Sequence, residues 1–170
     1  MTAALVLALL SQCGSERVAV KNLADGFEPP AHAEPATVTE LAKLPMPKWS
    51  NSAPRSEVER RVMQLEADVI GYKLESDSDF HVVVSDGKQT MVVEFPSPRC
   101  AKDARLAKAR ADFLALVPRP PTPAYRTLPK PIRVRLTGVV FLDKHLPGHI
   151  PTGSAPNGVE LHPVLSIFEP

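Results

Sequence analysis

The clearest alternation in the chain is Met63-Gln64-Leu65-Glu66-Ala67-Asp68-Val69, apolar at the odd positions and polar at the even ones. A strand sends successive side chains to opposite faces, so this repeat predicts a half-buried strand. It continues through Ile70-Gly71-Tyr72-Lys73-Leu74, with a bend or bulge expected at Gly71. An acidic turn follows at 75–79. The pattern then predicts a second strand over 80–84, a hairpin turn at Asp86-Gly87 and a third strand over 90–95. Pro96-Ser97-Pro98 breaks the sheet. Leu106, Ala109, Arg110, Phe113, Leu114 and Val117 then recur at helical spacing, which predicts a helix from about Lys102 to Leu116 with one face on the sheet. A proline-rich connector over 118–123 leads to a fourth strand over 132–141. The closing strand runs over 159–167. There alternation places Val159, Leu161 and Leu165 on one face, and Glu160 and His162 on the other.

This order is strand, strand, strand, helix, strand, strand, in a chain that is mainly β with one helix. With its long, bent first strand it resembles the OB-fold, a five-stranded barrel, over about residues 60–168. A small α+β sandwich with a helix on one face is the alternative. The expected core is Leu65, Ala67, Val69, Val82, Val84, Met91, Val93, Phe113, Val134, Leu136 and Leu161. The barrel domain is assigned to 57–170 and an irregular arm and linker to 13–56. Within the arm, Arg17-Val18-Ala19-Val20 suits a short edge strand, and Thr37-Val38-Thr39-Glu40 reads as a capping box opening a short helix.

The 19 prolines mark connections rather than element interiors, because they cluster between the patterned segments. Ala3-Ala4-Leu5-Val6-Leu7-Ala8-Leu9-Leu10 is too short to span a bilayer and has the character of a signal-peptide core, so 1–12 is read as a signal-peptide remnant and the protein as exported. An exported chain with two cysteines is expected to join them, so Cys13 and Cys100 should form a disulfide tying the arm to the barrel. A net charge of +1 supplies no global attraction for nucleic acid.

Five segments carry a family resemblance: Cys13-Gly14-Ser15-Glu16-Arg17, Val20-Lys21, Gly71-Tyr72-Lys73-Leu74-Glu75, Asp77-Ser78-Asp79-Phe80-His81 and Asn157-Gly158-Val159-Glu160-Leu161-His162-Pro163-Val164. Together they resemble a family of uncharacterised exported bacterial proteins, which implies an exported location and no particular activity. Asp77-Ser78-Asp79-Phe80 also looks similar to the metal-binding turn of thermonuclease-like OB-folds. The second acidic motif of that group has no counterpart in Phe95-Pro96-Ser97-Pro98-Arg99, which argues against its calcium-dependent mechanism.

Candidate chemistry lies at the two polar clusters. Asp77, Asp79 and His81 share a face if extended, as do Glu160 and His162. Asp77, Asp79 and Glu160 are the catalytic candidates. His81, His149, Glu160 and His162 are the metal candidates, with His145 as an alternative to His149, for a divalent ion such as zinc or calcium. The competing reading is a structural polar knot of His81, Asn157, Glu160 and His162. Arg133 and Arg135 alternate on the outer face of the fourth strand, where they could meet nucleic-acid phosphates, but aromatic residues for base stacking are few. The chain shows no nucleophile elbow, phosphate loop or dinucleotide fingerprint. The expectation is a monomeric binding or structural module of unknown ligand, with its site at the closing strand. A metal-dependent hydrolase acting on phosphodiesters is the alternative.

Overall fold

The computed structural model describes residues 13–45, 53–143 and 151–170. The signal-peptide reading of 1–12, His145 and His149 therefore lie outside the described residues. Six strands form one sheet: β1 (Glu34–Ala36), β2 (Val62–Leu74), β3 (Phe80–Ser85), β4 (Thr90–Phe95), β5 (Arg126–Leu142) and β6 (Val159–Phe168). Their order is β1-β2-β3-β4-β6-β5, and β2 also pairs with β5, so β2 to β6 close into an OB-like ring. Most pairs are antiparallel. The exceptions are β4 with β6, and β1, which lies parallel to β2 opposite Met63, Gln64 and Leu65. β1 escapes the sequence pattern because its three residues are too few to show a repeat.

The long β2 serves both sides of the ring. Its register with β3 and β5 shifts between Val69 and Gly71. Gly71 is needed at this bulge: a Cβ there would run into the Tyr125 hydroxyl and approach the Arg126 carbonyl oxygen to 2.8 Å. All eleven residues of the expected core are buried in one apolar cluster. On β6 the phase changes past Pro163, where the register with β5 also shifts, so Val164 and Ile167 enter the core and Leu165 is only half-buried.

The main helix, α3 (Ala104–Leu116), opens on Asp103, whose carboxylate accepts from the Arg105 N–H at 2.8 Å. It buries Leu106, Ala109 and Phe113. Phe113 packs against Tyr72, Phe80 and Phe95, with ring centroids at 5.6, 5.9 and 4.8 Å.

Two short helices belong to the arm, α1 (Val18–Lys21) and α2 (Val38–Leu41). The Thr37–Glu40 capping box is present on α2. The strand expected at Arg17–Val20 is instead the turn of α1. Four residues carry little patterning, and here the Arg17 side chain decides the local path. Its guanidinium is buried and grips Glu59 with two bonds of 2.7 Å. Cys13 and Cys100 are joined in a disulfide across 87 residues of sequence, fastening the arm beside the start of α3.

Candidate functional site

The outer face of the ring at β3, β4 and β6 is as buried as the inner one, but it is built of polar residues. Strand pairing explains how they meet. β3 and β4 set His81 opposite Glu94. The parallel pairing of β4 with β6 sets Val92 beside Glu160 and Val93 beside Leu161, so the next outward residues, Glu94 and His162, also become neighbours. The arm and the segment 151–158 then cover this face. Gly153 lies so close to Val83 that a Cβ would collide with its side chain.

Glu94 is the centre of the cluster. Its Oε1 is 3.3 Å from His81 Nδ1, and its Oε2 is 3.0 Å from His162 Nδ1. His81 Nδ1 is also 3.3 Å from Glu75 Oε1, while its Nε2 reaches the Thr152 carbonyl at 3.0 Å. His162 is 0% exposed, and its Nε2 lies 3.6 Å from Asp79 Oδ2. Neither ring nitrogen of His162 makes a hydrogen bond of good geometry: one approach is oblique, the other long. The Asp79 Oδ1 accepts from the Ser97 N–H at 2.6 Å. Asp77 caps this turn by accepting from the Asp79 N–H at 3.1 Å. Arg110 of α3 lies over the Phe80 ring and donates to the carbonyls of Ser78 and Phe95, at 2.8 and 2.6 Å, which clamps the turn to the end of β4.

Burial and charge act against one another here. Burial pushes the Asp79 carboxyl up to about 6, aided by Asp77 and Glu94 and opposed by His162 and the Ser97 N–H. Burial likewise raises Glu160 well above the ordinary carboxylate range, with Glu94 and Asp143 adding to the rise. Burial would raise Glu94 too, but His162, His81 and Lys21 outweigh it and hold this carboxyl well below that range. For Lys21, burial favours the neutral amine, yet the surrounding Glu94, Glu160, Asp143 and Glu16 carboxylates keep it firmly protonated. His81 is raised in spite of its burial, by Glu94, the Thr152 carbonyl and Glu75.

A pocket of about 180 Å³ opens onto this face. Glu16, Glu75, Asp77, Glu94, Asp143 and Glu160 line it, against Lys21 and His81 as the basic groups. Glu160 is only 5% exposed and makes no hydrogen bond or ion pair with any described residue.

The structure thus brings together Asp77, Asp79, His81, Glu160 and His162 as the two sequence clusters suggested. It does not place Asn157 with them. The Asn157 amide instead donates to the Leu41 and Leu44 carbonyls at 2.9 and 3.0 Å, tying the closing segment to the end of α2. Nor does Glu160 bond to His162; the partners of His162 are Glu94 and Asp79. Glu94, Glu75, Lys21 and Asp143 are additions. A lone carboxylate within the apolar run Met91-Val92-Val93-Glu94-Phe95 was the available signal for Glu94. Arg133 and Arg135 sit on the opposite side of the ring, each paired with Glu66 and Arg133 also with Asp68.

No family model and no curated protein matches the chain. Among solved structures it is similar to a chain described as an aspartyl-tRNA synthetase from Leishmania major Friedlin, with 15% identity and a TM-score of 0.48 over 81% of this chain. This chain spans about a fifth (21%) of that protein's length.

Proposed function

We propose that the protein is an exported, non-catalytic binding module that takes a small cationic ligand in the pocket between its arm and β3, β4 and β6. The observation that carries this reading is Glu160, an acidic group 5% exposed that faces the pocket without a hydrogen bond to any described residue, with Lys21 as partial charge compensation. Burial and the neighbouring carboxylates disfavour its charged form, and an arriving cation would favour it. The five other carboxylates of the lining favour the same ligand and repel a polyanion. The disulfide suits an oxidising compartment, and among the described residues no helix is long and apolar enough to cross a membrane. The disulfide fits the resemblance to exported bacterial proteins.

The test is thermal unfolding of the full chain with putrescine, agmatine, calcium, magnesium and zinc salts, in parallel with phosphate and acetate. A ligand that binds only the folded state raises the Tm. At least one cation should do so, and the rise should shrink in Glu160→Gln. Stabilisation by the anions alone, or by no cation, would overturn the reading.

The second reading, a metal-dependent hydrolase with Asp77, Asp79 or Glu160 as base, is favoured by one observation. Two groups of ligand-type side chains, Glu75–His81–Glu94 and Asp79–Glu94–His162, each bring three candidate ligand atoms within 4.8 Å of one another. Turnover of a phosphodiester substrate that depends on added metal and disappears in Glu160→Gln would replace the binding reading with this one.

A further inference from the structure

We infer that Glu75, His81 and Glu94 form a binding site for one divalent transition-metal ion of the zinc class, an inference that rests on the reading of this pocket as a cation site. The tautomer of His81 is the starting point. Its Nε2 faces the Thr152 carbonyl at 3.0 Å. A carbonyl oxygen can only accept, so Nε2 carries the proton. In the neutral ring Nδ1 is then a lone pair, and it faces Glu75 Oε1 and Glu94 Oε1 at 3.3 Å each. Glu75 Oε1 also meets Lys73 Nζ at 2.8 Å, so a metal ion would take the place of that ammonium and of any proton on Nδ1.

Two of the three ligand separations are 3.3 Å, and all three lie within 4.8 Å. A tetrahedral zinc ion with bonds of about 2.0–2.1 Å holds its ligands about 3.3 Å apart. Calcium bonds are longer, about 2.3–2.6 Å, and calcium takes six to eight oxygen ligands, so an imidazole nitrogen is a poor member of its shell. One nitrogen with two carboxylates suits zinc or a neighbouring first-row ion. The backbone carbonyl behind His81 is the usual second partner of a metal-bound imidazole, fixing ring and tautomer. His81 and Glu94 come from paired positions of two strands, so their spacing is held by the ladder rather than by a loop.

Glu160, 5% exposed and without a hydrogen bond to a described residue, is a second sign that positive charge is favoured in the pocket beyond what Lys21 supplies. The three side chains leave a fourth position open towards it, for water or for a group of Glu160. The second group, Asp79–Glu94–His162, does not open onto the pocket through His162, which is fully buried. We place no ion there.

The experiment uses the full chain with its disulfide formed, stripped with a chelator and then titrated with zinc chloride against a competing chelator. One equivalent of zinc should bind, and cobalt(II) in its place should give the intense visible absorption of a four-coordinate ion. His81→Gln should weaken zinc binding more than about 100-fold. Glu75 is partly exposed, with its side chain at 32%. Glu75→Gln should therefore fold normally and still bind more than about tenfold more weakly, with an altered cobalt spectrum. The absence of a stoichiometric zinc site in the wild-type chain, or unchanged binding in a folded Glu75→Gln or His81→Gln, would overturn the inference. Stabilisation by putrescine or agmatine without zinc binding would overturn the metal site and leave the cation pocket standing. No response to any cation would remove both.

Discussion

The same three strands present two unlike faces. Phe80 and Val82, Val93 and Phe95, and Val159 and Leu161 point into the ring and pack on one another and on α3. Their immediate neighbours His81, Glu94, Glu160 and His162 point outwards and are just as dry. The inner face tolerates burial because its side chains have nothing to lose but water contact. The outer face holds charges that must find partners, and the arm supplies the cover and part of the neutralisation. Burial alone therefore does not distinguish core from site in this protein. What distinguishes them is whether the buried atoms satisfy one another. The inner face is apolar, whereas the outer one keeps Glu160 with only Lys21 as partial compensation and His162 poorly bonded.

The largest loss of stability should come from the clasp that holds the arm over the outer face. Arg17 and Glu59 have side chains 1% exposed, and Glu59 also accepts from the Ser56 and Leu142 N–H groups at 2.8 and 3.1 Å. Removing one partner of a buried pair costs about 3–5 kcal/mol, so Glu59→Gln should lose roughly that much in urea unfolding at neutral pH. Burial tends to raise the Glu59 carboxyl, but Arg17, Ser56 and Leu142 bring it below its ordinary value. A depressed carboxyl contributes stability that is complete above its unfolded pKa of about 4.3 and is lost as pH falls through the folded value. The wild type should accordingly weaken below about pH 4.3, and Glu59→Gln should lack that part of the acid limb. An identical acid limb in both would show that Glu59 does not hold the arm.

On the inner face, Leu136→Ala should cost about 2–5 kcal/mol, the range for a fully buried leucine. A loss below about 0.5 kcal/mol would show β5 to be wrongly phased, since such a small change belongs to surface positions.

These two faces were not equally legible in the sequence. The inner face follows from a two-residue repeat within each strand, so Leu65 to Val69 and Thr90 to Phe95 declare themselves locally. The outer site depends on which strands become neighbours. Glu94 and His162 meet through a parallel pairing between segments separated by a helix and another strand, and no local pattern records it. Asp79, His81, Glu160 and His162 were found because they sit in short polar clusters. Glu94, alone among apolar residues, was not. The arm was legible at Cys13 and at the Thr37 capping box. It was misread at Arg17–Val20, where one long-range ion pair outweighs a four-residue pattern.

The disulfide sharpens the comparison, because it fastens the arm to the segment before α3. Cys13→Ser with Cys100→Ser should cost about 2–4 kcal/mol, since the bridge closes a long loop and limits the unfolded chain. The effect on the two faces should differ. Hydrogen exchange should quicken first at the amides of the arm, such as Val20 and Lys21, while those of β2 and β5 keep most of their protection. Uniform loss of protection would mean that arm and ring unfold as one unit.

The smallest expected effect is at Glu160, and its sign is the informative part. Its place beside His162 on an alternating strand suggests a charge-assisted hydrogen bond, whose loss in Glu160→Gln would destabilise the protein by roughly 1.5–3 kcal/mol. The structure contains no such bond. Glu160 instead meets burial and the like charges of Glu94 and Asp143, with Lys21 as partial compensation. An amide of nearly the same shape removes the ionisable group and keeps the packing. Without added ligand, Glu160→Gln should therefore leave stability unchanged or raise it by up to about 1 kcal/mol, the lower end of what an unsatisfied buried polar group costs. With a saturating cation the order should reverse, because the wild type gains binding energy that the variant lacks. Chemical unfolding of both chains, with and without the cation that stabilises the wild type, measures each part. A loss of 1.5 kcal/mol or more in the ligand-free variant would mean that Glu160 has a structural partner after all, and the outer face would then be as complete as the inner one.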